Sequence, residues 1–86
     1  MTSPLAPVTL AELAPMRLAT IASIEWHKLS ASESRRLREF GLDEGVEVEL
    51  LQRSGLFRGP MSARIGRMTI AVRRHVGEAI HVVQAA

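Results

Sequence analysis

The side chains in this sequence that could act on another molecule are few: three histidines, a scatter of arginines, and one bulky apolar pair set between glycines. His27, His75 and His81 are candidate ligands for a divalent cation, because a neutral imidazole beside a carboxylate suits zinc or a similar ion. Glu25 and His27 stand two apart and share a face if the first strand continues that far. His75 falls in a polar return, and His81 points outward from the last strand. No two of the histidines have the helix i, i+4 or strand i, i+2 spacing that sets ligands side by side. The expectation is therefore no resident cofactor, and at most a weakly held divalent metal.

Catalytic groupings are thinner still. Asp43 is the only aspartate and falls in a turn. Glu47 and Glu49 share one face of an alternating segment, where solvent exposure alone accounts for both. Ser30, Ser32 and Ser34 belong to a helix start rather than to a strained elbow that presents a nucleophile. Gly55 and Gly59 make no phosphate-binding loop, since no Gly-Lys-Ser/Thr follows them. The absence of cysteine excludes thiolate nucleophiles, thiolate metal sites and disulfides. An enzyme is not expected.

Binding chemistry has more to draw on. Arg35, Arg36 and Arg38, with Arg64, Arg67, Arg73 and Arg74, could track phosphates. Stacking bases needs exposed aromatics, however, and the chain has only Trp26, Phe40 and Phe57. Eleven basic residues against nine acidic ones leave a net charge of only +2. The isoelectric point near 10.4 follows from the predominance of arginine, which does not titrate near neutrality. A solvated mixed-charge surface is expected, with an arginine-driven nucleic-acid binder as the alternative. The lack of tyrosine also argues against a Pro-rich peptide groove, which is an aromatic-lined shelf. The better candidate is Leu56-Phe57, between Gly55 and Gly59, outside any alternation that would bury it. Arg58 beside the pair could supply the polar rim that interfaces favour.

The elements that must position these groups are short. The chain has 86 residues, 47% of them apolar, which bounds it to one domain with a modest core. No apolar run approaches the roughly 20 residues of a membrane span, and Met-Thr-Ser-Pro does not resemble a secretory leader. A small cytoplasmic domain is expected, spanning 9–84 behind a flexible tail at 1–8. Thr9 and Glu12 make a capping box that Pro15 cuts to one turn. Residues 16–25 are β-friendly, but their period is broken: Ile21 falls opposite Leu18 and Ile24. Ser30 with Glu33 opens a helix that closes at Gly41, with Leu37 and Leu42 placed as the contact of a Schellman motif and with Leu37 and Phe40 facing the core.

Val46, Val48 and Leu50 alternate inward against Glu47 and Glu49. Gly66-Arg67 suits a type II′ hairpin that pairs Ile65 with Met68, Ala63 with Ile70 and Met61 with Val72. Residues 73–79 read as a polar return, and 80–83 as a last strand with Ile80 and Val82 inward. The resulting architecture is mainly β: a small five-stranded, SH3-like, partly open barrel with one short α-helix between strands one and two.

The segment Leu37-Arg38-Glu39-Phe40-Gly41-Leu42-Asp43-Glu44-Gly45-Val46-Glu47-Val48 resembles the Leu-x-x-(Met/Phe)-Gly-Leu-x-x-Gly-x-x-Val signature of FeoA proteins. Thr9–Leu13, Ala19–Ile21, Ile70–Arg73 and Ala79–Val82 fall where that family has similar segments. The resemblance gives Leu37, Phe40, Gly41, Leu42, Gly45 and Gly66 structural roles. It implies a cytosolic, non-enzymatic accessory of bacterial ferrous iron uptake that acts on the cytoplasmic GTPase portion of the transporter FeoB. Membrane contact would then come only through that partner. The same domain is similar to the C-terminal module of DtxR-type metal-dependent repressors. A divalent-metal-sensing regulatory module using His27, His75 or His81 is a further alternative. Met16 and Glu44 depart from the glycine and proline that the family usually has at these places.

Overall fold

The computed structural model describes residues 7–52 and 59–84. Strands β1 (Val8–Thr9), β2 (Leu18–Ile24), β3 (Glu47–Gln52), β4 (Met61–Ile65), β5 (Met68–Val72) and β6 (Ile80–Gln84) form one sheet. Its order is β1-β6-β2-β3-β4-β5, and every pairing is antiparallel. Helix α1 (Ala31–Glu39) links β2 to β3, and a six-residue helix α2 (Arg74–Ala79) links β5 to β6.

Helix α1 is set by its own ends. The Ser30 hydroxyl accepts the Glu33 N–H at 3.1 Å, and the Glu33 carboxylate accepts the Ser30 N–H at 2.9 Å. That reciprocal box satisfies two donors a helix start otherwise leaves open. At the other end Gly41 adopts φ +83°, its N–H donates to Arg38 O at 3.0 Å, and the Leu42 N–H donates to Leu37 O at 2.9 Å. This is the Schellman pairing, with Leu37 and Leu42 both buried beneath it.

The broken period in the first strand has a mechanical cause. Opposite β6, Ile21 pairs with Val82 and Ser23 with His81, so one extra residue is accommodated between them. A bulge of this kind shifts side-chain parity, and both Ile21 and Ile24 reach the core while Leu18 stays exposed. The β4–β5 hairpin has the expected register throughout, from Ile65–Met68 to Met61–Val72. Gly66 has φ +61° while Arg67 keeps a negative φ, as a type II′ turn requires. Val48, Leu50, Ala63, Ile80 and Val82 are wholly enclosed at the centre of the core, together with Leu10 and Leu13 from the first turn.

Three expectations need correction. The sheet has six strands rather than five, because Val8–Thr9 pairs with Val82 and His81; Val8 is thus held in the sheet, while 1–6 lie outside the described residues. The segment expected as a polar return is a helix over 74–79, with Arg73 as its N-cap. Val76 and Ala79, one turn apart, turn inward, and buried Gly77 lets the backbone approach Met61. A β-carbon at Gly77 would lie 2.9 Å from the Met61 sulfur, so close packing overrides the low helix propensity of glycine here. Phe40 is only half-buried, at the margin of the core rather than within it.

Candidate partner-binding surface

The three histidines divide between two carboxylates, His75 at Glu33 and both His81 and His27 at Glu25. His75, at the start of α2, meets Glu33 of α1 with Nε2 2.5 Å from Oε2. His81 on β6 pairs with Glu25. The other Glu25 oxygen takes Lys28 Nζ at 2.8 Å, with His27 Nε2 at 3.9 Å. Lys28, with help from His81, holds the Glu25 carboxyl down at about 2. Glu33 is lowered too, first by the Ser30 N–H and then by His75. Each carboxylate is thus engaged by donors of this chain, and among the described residues no three potential metal ligands gather.

The arginines lie around α1 and the hairpin, as expected, and two of them cover the described aromatics, Trp26 and Phe40. The Arg38 guanidinium stacks on the Trp26 ring at 4.5 Å, and that of Arg36 lies 5.8 Å from the Phe40 centroid. Arg64 pairs with Glu49 at 3.4 Å and Arg74 with Glu78 at 3.6 Å. Leu56, Phe57 and Arg58 lie outside the described residues. Glu47 and Glu49 point away from the core as the alternation requires.

The structure adds a feature that sequence reading missed. A cleft of about 80 Å³ opens between α1, β5 and the start of α2. Leu37, Phe40, Ile70, Val72 and Val76 form its apolar wall, and Arg36 and Arg73 stand at its mouth. Neither arginine forms an ion pair with a described residue. The Glu33–His75 contact ties the two helices together beside it. The wall depends on the α1 ends described above: the Ser30 box and the Gly41 stop fix the length of the helix and hence the positions of Arg36, Leu37 and Phe40. Recognising the cleft in the sequence required knowing that 74–79 coils, because only then does Val76 face Leu37 across it.

Elsewhere Met16, Leu18 and Met68 are exposed. Met16 holds φ +65°, the only non-glycine to do so among the described residues, while its N–H donates to Leu50 O at 2.6 Å. No described helix is long and apolar enough to cross a membrane.

The FeoA domain model matches residues 8–84. Among solved structures, iron(II) transport protein A from Clostridium thermocellum is 26% identical with a TM-score of 0.77, and the match covers 91% of this chain and 46% of that one. The FeoA protein from Chlorobium tepidum is likewise 26% identical at a TM-score of 0.77, with 92% and 71% covered. A manganese-dependent transcriptional repressor is 21% identical at a TM-score of 0.80, covering 99% of this chain and 45% of the repressor. No curated protein matches the sequence. The mainly β, SH3-like fold stands, with six strands in an open sheet.

Proposed function

The chain belongs to the FeoA family, and from that premise we propose that it is a non-enzymatic accessory of bacterial ferrous iron uptake. It works in the cytoplasm by docking on the GTPase portion of a FeoB-type transporter and so modulates the passage of iron. The observation that carries this reading is the match of residues 8–84, which takes in every described strand and both helices. The surface supports a binder rather than a reactor. Its carboxylates at 25 and 33 are engaged by donors of the same chain, whereas an apolar cleft stands beside two arginines that form no ion pair with a described residue.

The test is association of the purified protein with the isolated cytosolic domain of the transporter, followed by iron uptake in cells carrying variants. Leu56→Ser with Phe57→Ser is expected to weaken association. Wild-type association of that double variant would remove the 56–58 segment from the interface. Absence of association by the unmodified protein would remove the docking reading itself.

A further inference from the structure

We propose that the open edge of β5, together with the cleft beside it, binds an extended acidic segment of a partner protein as an additional strand, with one aliphatic side chain of that segment entering the cleft. This deepens the docking reading and rests on it only for the source of the segment.

The ladder gives the first argument. In a two-residue hairpin the closing pair exchanges both hydrogen bonds, and alternate pairs repeat that exchange. With Ile65–Met68 closing the turn, Met68, Ile70 and Val72 commit their N–H and C=O groups to β4. Thr69 and Ala71 therefore aim theirs the other way. β5 ends the sheet, and no described backbone group bonds to Thr69 or Ala71 on that side. Such a row of unpaired groups is a template for another strand. The cleft gives the second. Ile70, Ala71, Val72 and Arg73 all line it. Successive side chains leave a strand on opposite faces, so what these four share is the strand's edge.

Charge identifies the occupant. Arg36 and Arg73 flank the cleft with no ion-pair partner among the described residues, while Glu33 is taken by His75. A second depression shares Arg36, Ala71 and Arg73 with the cleft and continues along the edge past Pro60, where Arg74 and His75 are paired with Glu78 and Glu33. An acidic segment is attracted there. A second copy of this chain is not, since antiparallel pairing of one β5 with another would bring Arg67 at one end of the strand toward Arg73 at the other end of its copy.

The experiment titrates the ¹⁵N-labelled protein with the capped peptide Glu-Val-Glu-Leu-Glu-Val-Glu and with the same peptide carrying Lys for Glu. Two further versions of the acidic peptide carry N-methyl groups on alternate residues, one in each phase. Amide shifts at Thr69 and Ala71 are expected with a dissociation constant on the order of 0.1 mM, since a short chain pays its ordering entropy on binding. One N-methyl phase should bind and the other should not, because only one edge of the peptide meets β5. Arg36→Glu with Arg73→Glu should weaken binding roughly tenfold or more, as two attractive contacts become repulsive. The proposal is overturned by no shift at Thr69 and Ala71, by equal binding of the lysine peptide, by equal binding of both N-methyl phases, or by self-association through β5. Transporter binding that persists while the peptide fails would overturn this surface and leave the docking reading intact. The reverse result would keep the surface and remove the transporter as the source.

Discussion

Replacing Gly41 by alanine isolates one conformational cost. At φ +83° a β-carbon is disfavoured whatever surrounds it, and nothing lies within 4 Å of where it would sit. Steric clash with neighbours is thus absent, and the penalty is the backbone term alone, about 1–2 kcal/mol for a left-handed L-residue. Alanine also restricts the unfolded chain, which returns about 0.4–1 kcal/mol. The net loss is about 1 kcal/mol, or a drop in Tm of about 4–8 °C for a domain of this size. Asparagine tolerates the left-handed region better and should lose less. Gly59, whose φ is not positive and whose β-carbon would meet no described residue within 4 Å, serves as the control. Alanine there should be neutral or mildly stabilising. Thermal and urea unfolding of the three variants provide the assay. If Gly41→Ala and Gly59→Ala behave alike, the left-handed stop of α1 is not the conformation of this residue in solution. The positions of Leu37 and Phe40 at the cleft would then have to be redrawn.

Met16→Gly should raise stability by about 1 kcal/mol or less, because glycine removes the strain of φ +65° while losing only an exposed side chain; a fall in the urea midpoint would refute the conformation. Leu50→Ala should cost about 2–5 kcal/mol, since the side chain is wholly enclosed. That is a large part of the total for a small domain, so a variant that unfolds at near wild-type urea would contradict the core assignment. The Glu25 carboxyl sits at about 2 in the folded chain against an ordinary 4.5. A carboxyl lowered by folding adds stability above the ordinary value, and that contribution is lost as pH falls from about 4.5 toward 2. Urea midpoints measured across that range should fall, and less steeply in Glu25→Gln; identical slopes would refute the Lys28 and His81 contacts.

The features legible in the sequence are those decided within a few residues. The Ser30–Glu33 box, the Gly41 stop with its Leu37–Leu42 closure, and the Gly66-Arg67 turn each contain their own cause. The misread ones depend on partners distant along the chain. Residues 74–79 coil although Gly77 opposes it, because Val76 and Ala79 find a buried seat and Gly77 meets Met61. The parity break between Ile21 and Ile24 was visible, but the bulge that resolves it is a property of the pairing with β6. Val8–Thr9 is too short a strand to announce itself and exists only because Val82 and His81 present an edge to it. The cleft inherits these dependences: its arginines were visible, but the open side of β5 follows from strand order, which no local pattern encodes.

The placement of the last strand between two early ones has a consequence for synthesis. β6 lies between β1 and β2 and contributes Ile80 and Val82 to the centre of the interior. In a growing polypeptide β2 to β5 can pair in order with their sequence neighbours, whereas β1 has no strand to join until β6 is made. Closure of the interior therefore waits for Ile80 and Val82. A truncation before Ile80 should therefore yield a chain prone to aggregation rather than a smaller version of the domain.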